Sequence, residues 1–551
     1  VVAKLIGLLA GVSDTPRRIG CITHTNAAVH EIETRVRERT QAREERSFDI
    51  ATIHSFCLSN VLLPFRHLLT GFQDNFEIVT AESDWLRQLV PELNRRFGVR
   101  ARVDDWANTC RGPDGLPRVQ EQVTQAGAEF LIAQLDDSGR MTMGDILFHA
   151  SDVIRRHAFI SRGVASKYAW LLIDEFQDTS DTQLAIFRVI ASHARTKFLI
   201  VGDPEQSIYG FNGARPGLME DFGDYIGARP DVLDGNYRSS AHIVAMAERL
   251  IPRAPPMVAV GEHKPYPIIP RYTHASTTLD AIWDDFLPLV DALQIPIGRS
   301  AILASQWIPL FHLSRALRTR DVPVIGPGAR PYRRTLEFAA FAEHACAFIE
   351  ERTAVAATKA TRALFLMLLQ ITGRPDFEIY SASGKRTLYA LLHEARAVQS
   401  RNESAIPFLR ALAQATALIL HRDEWLTVEE AARILAAGEV MVESIESNRD
   451  IDPANLSVAD LSLFARPSAC LTLMTIHAAK GREFDAVALI DLHESVLPNW
   501  RDENDKEALA EARRLLYVGT TRARKLLCYY TDAARDRPPS RFLAGGGLNL
   551  L

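Results

Sequence analysis

A chain of 551 residues is too long for a single hydrophobic core and divides into about three or four folding units. With 47% hydrophobic and 24% charged residues it has the composition of an ordinary packed globular chain, which excludes a disordered or fibrous protein. The formal net charge of -5 argues weakly against nucleic acid, but large motors carry basic channels on neutral or acidic bodies, so charge alone does not decide the partner. The six cysteines (Cys21, Cys57, Cys110, Cys346, Cys470 and Cys528) lie far apart with no CxxC pair. That argues against a zinc site, an iron-sulphur cluster or a disulfide framework, and for buried thiols in a reducing compartment.

In chain order, VVAKLIGLLAG opens as an amphipathic helix with Leu5, Leu8 and Leu9 on one side. It is too short to cross a bilayer, and no other stretch approaches the roughly 20 apolar residues required, so no membrane anchor is expected. Strands follow at Ile19–Thr23, Phe48–Ile53, Trp170–Ile173 and Lys197–Val201, then at Ser300–Ala304, Leu471–Thr475, Ala486–Ile490 and Leu526–Tyr530. Helical segments alternate with them, which implies two parallel sheets covered on both faces, one in each half of the chain. Two stretches, about Leu62–Arg162 and Leu336–Ala465, lose the β pattern and read as helical insertions. Pro538, Pro539 and Gly545–Gly547 read as a fraying tail.

The chemistry concentrates where strands end. Leu171–Thr179 reads LLIDEFQDT, an apolar strand running into Asp174 and Glu175. In a nucleotide hydrolase one such acid holds Mg²⁺ and the other orients the attacking water, whereas in a bland loop the pair is simply solvated. The run FLIVGDPEQSIYGFNGARPG from Phe198 leads a strand into Gln206, an amide suited to sensing a γ-phosphate. Tyr209 and Phe211, two apart in what reads as an exposed loop, can stack on bases or can be core aromatics. GNYRSS (Gly235–Ser240) and EARRLLYVGTTRAR (Glu511–Arg524) supply Arg238 and Arg522, candidates for stabilising charge in phosphoryl transfer or ordinary surface arginines. From Leu471, LTLMTIHAAKGREFD places Thr475, His477 and Lys480 after a strand, where Thr and Lys can hold phosphate oxygens, of ATP or of DNA. CITHTNAAVHEI and ATIHSFC put His24, Thr25, Asn26, Thr52, His54 and Ser55 at strand-to-helix loops, as sugar-phosphate contacts, helix N-caps or both.

Taken in this order, the runs resemble the superfamily 1 helicases of the UvrD/Rep/PcrA type. The resemblance rests on motifs Ia (His24–Ala28), Ib (Thr52–Ser55), II (Ile173–Asp178), III (Gly202–Ala214), the arginine motif of the second domain (Asn236–Ser239), V (Thr475–Phe484) and VI (Tyr517–Ala523). PSRFL at Pro539–Leu543 is similar to the close of that family's second motor domain. The resemblance implies an α/β chain with two RecA-like, P-loop NTPase-type parallel-sheet domains, each carrying a helical insertion subdomain. It divides the chain into a first motor domain (1–61 and 163–234), its insertion (62–162), a second motor domain (235–335 and 466–545), its insertion (336–465) and a tail (546–551).

By the same resemblance Asp174 binds Mg²⁺ and Glu175 is the general base. Gln206 meets the γ-phosphate, Tyr237 stacks on adenine, Glu483 meets the ribose, and Arg238 and Arg522 are arginine fingers. His477 and Lys480 couple DNA contact to the nucleotide site. The implied activity is ATP-dependent 3′ to 5′ translocation and unwinding, with ATP between the motor domains and single-stranded or junction DNA across them. The setting is DNA repair or recombination in a prokaryotic-type cytoplasm, associated with the nucleoid, with room for a nuclease or repair-protein partner.

Three departures stand beside the match. The family's GxxxxGK[ST] loop is absent: Gly384-Lys385, followed by Arg386 and with Ile379 where the first glycine belongs, is a decoy. In the family the helix resembling Val1–Leu9 follows that loop, so the loop is expected upstream of Val1, and residues 1–551 alone are expected to bind ATP weakly. His24 replaces the usual phenylalanine of motif Ia, and Phe211 and Asn212 replace the usual Trp and Arg of motif III. The rival readings are a non-hydrolysing DNA-binding or scaffolding protein, a nuclease-partnered helicase subunit, and an RNA helicase. Joint retention of Asp174, Glu175, Gln206, Arg238 and Arg522 argues against the first, because a binding module needs none of them.

Overall fold

Four of the expected strands lie side by side in the computed structural model: β1 (Arg18–Thr23), β2 (Phe48–Thr52), β3 (Tyr168–Ile173) and β4 (Lys197–Ile200) form one all-parallel sheet in the order β2-β1-β3-β4. The structure describes residues 1–12, 15–40, 44–69, 76–119, 122–210, 213–332, 338–372, 381–402, 404–448 and 452–544. The chain separates into two units, Val1–Leu233 and Asp234–Leu551.

In the first unit, side-chain alternation sends Ile19, Cys21 and Leu172 to one face of the sheet and Ile22, Leu171 and Ile173 to the other. The first face is covered by helices Val2–Leu9 and Asn26–Arg37, through Leu5, Leu9, Ile32 and Val36. The second is covered by Met143–Arg156, Ala158–Lys167 and Asp181–Ala191. Burial on both faces is why the central strands β1 and β3 read as near-continuous apolar runs.

The stretch expected as a helical insertion, about Leu62–Arg162, also holds two small two-stranded sheets. Glu77–Val79 pairs in parallel with Arg140–Thr142, and Cys110–Arg111 pairs antiparallel with Pro117–Arg118. Strands of two or three residues are too short to express an alternating pattern, so periodicity passes over them. This part has a core of its own around Trp106, Leu86, Leu93 and Leu131.

The second unit carries a six-stranded parallel sheet: β5 (Arg271–Ala275), β6 (Ser300–Ala304), β7 (Val324–Ile325), β8 (Leu471–Thr475), β9 (Phe484–Leu489) and β10 (Ala523–Asp532), in the order β5-β10-β9-β6-β8-β7. β5 was not legible: RYTHA lies at a half-exposed edge and needs no apolar alternation to pair with β10. The long segment between β7 and β8 builds a separate helical core from Ala339–Glu351, Ala354–Thr372, Ala382–Arg401, Ala405–Arg422 and Val428–Glu446. Gly384 and Lys385 open one of these helices, with Ser381 Oγ capping Gly384 N at 3.0 Å, so the decoy pair cradles no phosphate.

Contrary to the expectation that no stretch after the first approaches roughly 20 apolar residues, one described helix does. Helix Ala354–Thr372 is long and apolar enough, by length and composition, to cross a membrane. Its apolar face (Ala360, Leu364, Met367, Leu368 and Ile371) lies inside the helical core.

Candidate active site

In the first unit every candidate side chain sits at or beyond the carboxyl edge of the sheet, the usual place for ligands in open parallel sheets. Asp174 follows β3 directly, and its N–H donates to Ile22 O at 2.8 Å. Glu175 then takes a left-handed conformation, φ 54°, a strain of about 1–2 kcal/mol for a residue with a Cβ. The next N–H, of Phe176, returns to Val201 O at 2.9 Å, so the turn carrying both acids is pinned to the strands on either side. Burial, reinforced by the neighbouring Glu175 charge, pushes Asp174 up to about 6.

Behind this pair lies Gln177, fully buried. Its Nε2 donates to Glu175 Oε2 at 2.5 Å and its Oε1 accepts from Asp203 N at 3.0 Å. Gly202 makes room for it: a Cβ there would lie 2.5 Å from Gln177 Oε1 and 3.1 Å from two backbone nitrogens. Asp203 in turn accepts from Gln206 Nε2 at 2.6 Å and caps the short turn after it through Glu205 N at 3.1 Å. One hydrogen-bonded chain thus runs Glu175, Gln177, Asp203, Gln206. Tyr209, expected in an exposed loop, is half-buried; burial, and then the charges of Asp178 and Glu175, raise its hydroxyl above the ordinary range. Phe211 and Asn212 lie outside the described residues.

At the ends of β1 and β2 the small polar residues cap helices. Thr25 Oγ1 accepts from Ala28 N at 3.2 Å, and Thr52 Oγ1 accepts from Ser55 N at 3.2 Å and donates to Ser55 Oγ at 3.0 Å. Thr25 and Asn26 are exposed, His24 is half-buried, and burial holds His54 below its ordinary range and so neutral.

The second unit uses both ends of its sheet. Thr475 ends β8 at the carboxyl edge, where its Oγ1 accepts from Ala478 N at 3.3 Å and Ile476 N donates to Ala304 O at 2.9 Å. His477 and Lys480, both half-exposed, follow on a single turn. Glu483 lies at the opposite, amino edge, just before β9, because the strands are parallel and in register with β6. There Arg238 Nε donates to Glu483 Oε2 at 2.6 Å, and Arg524 donates to Oε1 of the same carboxylate. Burial would raise Glu483, but the two guanidinium groups outweigh it and hold the carboxyl below its usual range.

Asn236 Oδ1 accepts from Arg238 N and Ser239 N at 3.0 and 2.9 Å, turning the loop so that Tyr237 stands 77% exposed. Gly261 passes under it so closely that a Cβ would lie 2.0 Å from Tyr237 O. Arg522 is 1% exposed, donating to Val518 O at 3.0 Å, Arg482 O at 3.3 Å and Thr521 Oγ1 at 2.9 Å. Among the described residues no group of three or more His, Cys, Asp or Glu side chains is set to hold a metal ion.

Residues 1–226 match the UvrD/REP helicase N-terminal domain, and residues 445–531 match the UvrD-like helicase C-terminal domain. The chain belongs to the UvrD-like helicases. It is similar to the ATP-dependent DNA helicase PcrA of Leuconostoc citreum, 25% identical over 607 positions covering 98% of this chain and 80% of that protein. It is also similar to two Escherichia coli K12 proteins, each aligned over 98% of this chain: ATP-dependent DNA helicase Rep (23% identical, 89% of that protein) and DNA helicase II (25%, 83%).

For this UvrD-like helicase, the structure joins Glu175 and Gln206 in one hydrogen-bonded chain, with Asp174 on the same turn as Glu175, and pairs Arg238 with Glu483, with Tyr237 next to Arg238 in the same loop. Sequence reasoning missed Gln177, Asp203 and Arg524. Gln177 was visible inside LLIDEFQDT, but nothing in the string says that a glutamine two residues after an acid is buried behind it. The sequence places Arg524 one strand position beyond the motif it was read with, and only the register of β9 against β10 brings it to Glu483.

Proposed function

We propose that the chain is an ATP-dependent DNA helicase and single-strand translocase moving 3′ to 5′, cytoplasmic and nucleoid-associated, serving DNA repair or recombination. The observation that carries this reading is the Asp174–Glu175 pair at the carboxyl edge of β3, in a chain of this family. Mg²⁺ binds through one or two carboxylates together with waters and substrate phosphates, and it supplies charge neutralisation to the departing phosphate. Asp174, whose carboxylate is disfavoured by burial and by a like charge, fits that role.

Glu175, oriented by Gln177, takes the proton of the attacking water. Gln206, held by Asp203, contacts the γ-phosphate. Arg238 and Arg522 are assigned to the charge that develops in transfer, Tyr237 to the adenine face and Glu483 to the ribose. His24, Thr25, Asn26, Thr52, His54, Ser55, Tyr209, Phe211, Thr475, His477 and Lys480 are assigned to the DNA strand, chiefly its backbone.

The test is DNA-stimulated ATP hydrolysis by the protein beside its Glu175→Gln variant. Stimulation by single strands that falls by about 100-fold or more in Glu175→Gln supports the reading. Strand binding without hydrolysis would leave a DNA-binding protein in its place. Unwinding of 3′-tailed but not 5′-tailed duplexes tests the direction.

A further inference from the structure

Glu483 stands between two arginines whose circumstances differ. Arg238 Nε donates to Oε2 at 2.6 Å, and beyond that bond its guanidinium has, among the described residues, one long contact, Nη1 to Thr521 O at 3.4 Å. Arg524 donates through Nη2 to Oε1, and its Nη1 also reaches Asp485 Oδ1 at 3.4 Å. Asp485 is 1% exposed and gathers two further cations, Lys525 Nζ at 3.1 Å and Arg299 Nη1 at 3.6 Å. Arg524 is therefore moored to a second, buried carboxylate, and among the described residues Arg238 is not.

The backbone keeps the pair in step. Ser240 N donates to Arg524 O at 2.9 Å and Ser239 Oγ donates to Ala523 O at 2.7 Å, so the two residues that follow Arg238 are stitched to the start of β10.

If Arg238 turns its whole guanidinium to a phosphate it leaves Glu483, a carboxylate 36% exposed at which water makes good only part of the lost cation. Arg524 removes that difficulty, because it remains on Glu483 when Arg238 departs. We propose that Arg524 is a positioning residue for phosphoryl transfer, keeping Glu483 neutralised so that Arg238 is released to the phosphate. The proposal rests on the ATP-hydrolysis reading above. A merely structural Arg524 would affect stability and leave turnover alone.

The experiment is steady-state ATP hydrolysis by the full chain carrying Arg524→Gln, Arg524→Lys, Glu483→Gln, and Arg524→Gln with Glu483→Gln. Without Arg524 the remaining cation is held harder, so kcat in Arg524→Gln should fall about five- to twentyfold while KM for ATP stays within about twofold. Arg524→Lys should recover most of kcat, and in the Glu483→Gln background the Arg524 substitution should change kcat less than about twofold. Folding of each variant is read from its thermal melt. If Arg524→Gln does not fold, the same substitution with Asp485→Asn, which leaves one fewer carboxylate uncompensated, takes its place. An unchanged kcat in Arg524→Gln beside an inactive Glu175→Gln overturns the proposal alone, as does an equal loss with and without Glu483. Hydrolysis that survives Glu175→Gln removes the underlying reading and the proposal with it.

Discussion

Replacing Gln177 by leucine keeps the buried volume nearly constant and removes both ends of the bridge between Glu175 and Asp203. The side chain is fully buried, so water does not take over either bond. The Nε2 bond to the Glu175 carboxylate, 2.5 Å, is of the charge-assisted kind worth about 1.5–3 kcal/mol, and the stranded Asp203 N–H costs about 1–3 kcal/mol. Part of that loss falls on folding, giving a destabilisation of about 2–4 kcal/mol. The part belonging to Glu175 falls on catalysis, because the base loses the contact that aims it; at 1.36 kcal/mol per tenfold this is a drop of about 10- to 100-fold in kcat. Urea unfolding reads the first quantity, and DNA-stimulated ATP hydrolysis at saturating ATP reads the second. A Gln177→Leu protein with an unchanged unfolding midpoint and kcat within about threefold of the parent would show that the bridge neither holds the turn nor aims the base.

Three other outcomes are expected. Asp174, raised from 3.8 to about 6, carries in the native state a proton that the unfolded chain releases at lower pH, so it lowers stability above pH 6 and this cost fades as pH falls through about 6 to 4. Asp174→Asn should therefore gain on the parent in denaturant titrations as pH rises across that window, and the acid limb of hydrolysis should lie near pH 6 and move lower as Mg²⁺ is raised. Arg111 holds the fully buried Asp145 at 2.9 Å, so Arg111→Met should cost about 3–5 kcal/mol by equilibrium unfolding, much of it recovered when Asp145→Leu is added. Tyr237→Ala should leave the melting temperature nearly unchanged, because the ring is 77% exposed, while raising KM for ATP several-fold; an unchanged KM would remove adenine stacking from its role.

The motor sheets were legible because strands buried on both faces announce themselves as short apolar runs, and all eight such runs are strands. β5 escaped because Arg271 and His274 on an edge carry no such signal, and the two-residue β7 is too short to show one. The acids of LLIDEFQDT were legible as chemistry, and Thr25 and Thr52 were legible as caps, because strand-to-helix junctions leave N–H groups to be met. Gln177, Asp203 and Arg524 were not, since each acts through a partner 2 to 41 positions away that only turn geometry or strand register supplies. Arg522 shows the converse: its motif marks it as chemistry, but its burial and its bonds to Val518, Arg482 and Thr521 could not be read from the motif.

Between Thr475 and Phe484 only eight residues carry the chain from the carboxyl edge of the second sheet to its amino edge, passing β6 on the way. The two ends are roughly 20 Å apart, given five or six residues of strand and two inter-strand spacings, whereas eight residues that include one 3₁₀ turn reach about 25 Å at most. The segment behaves as a nearly inextensible tether. With so little slack, the spacing of Thr475 from Glu483 along the sheet is set by chain length as well as by the strands themselves.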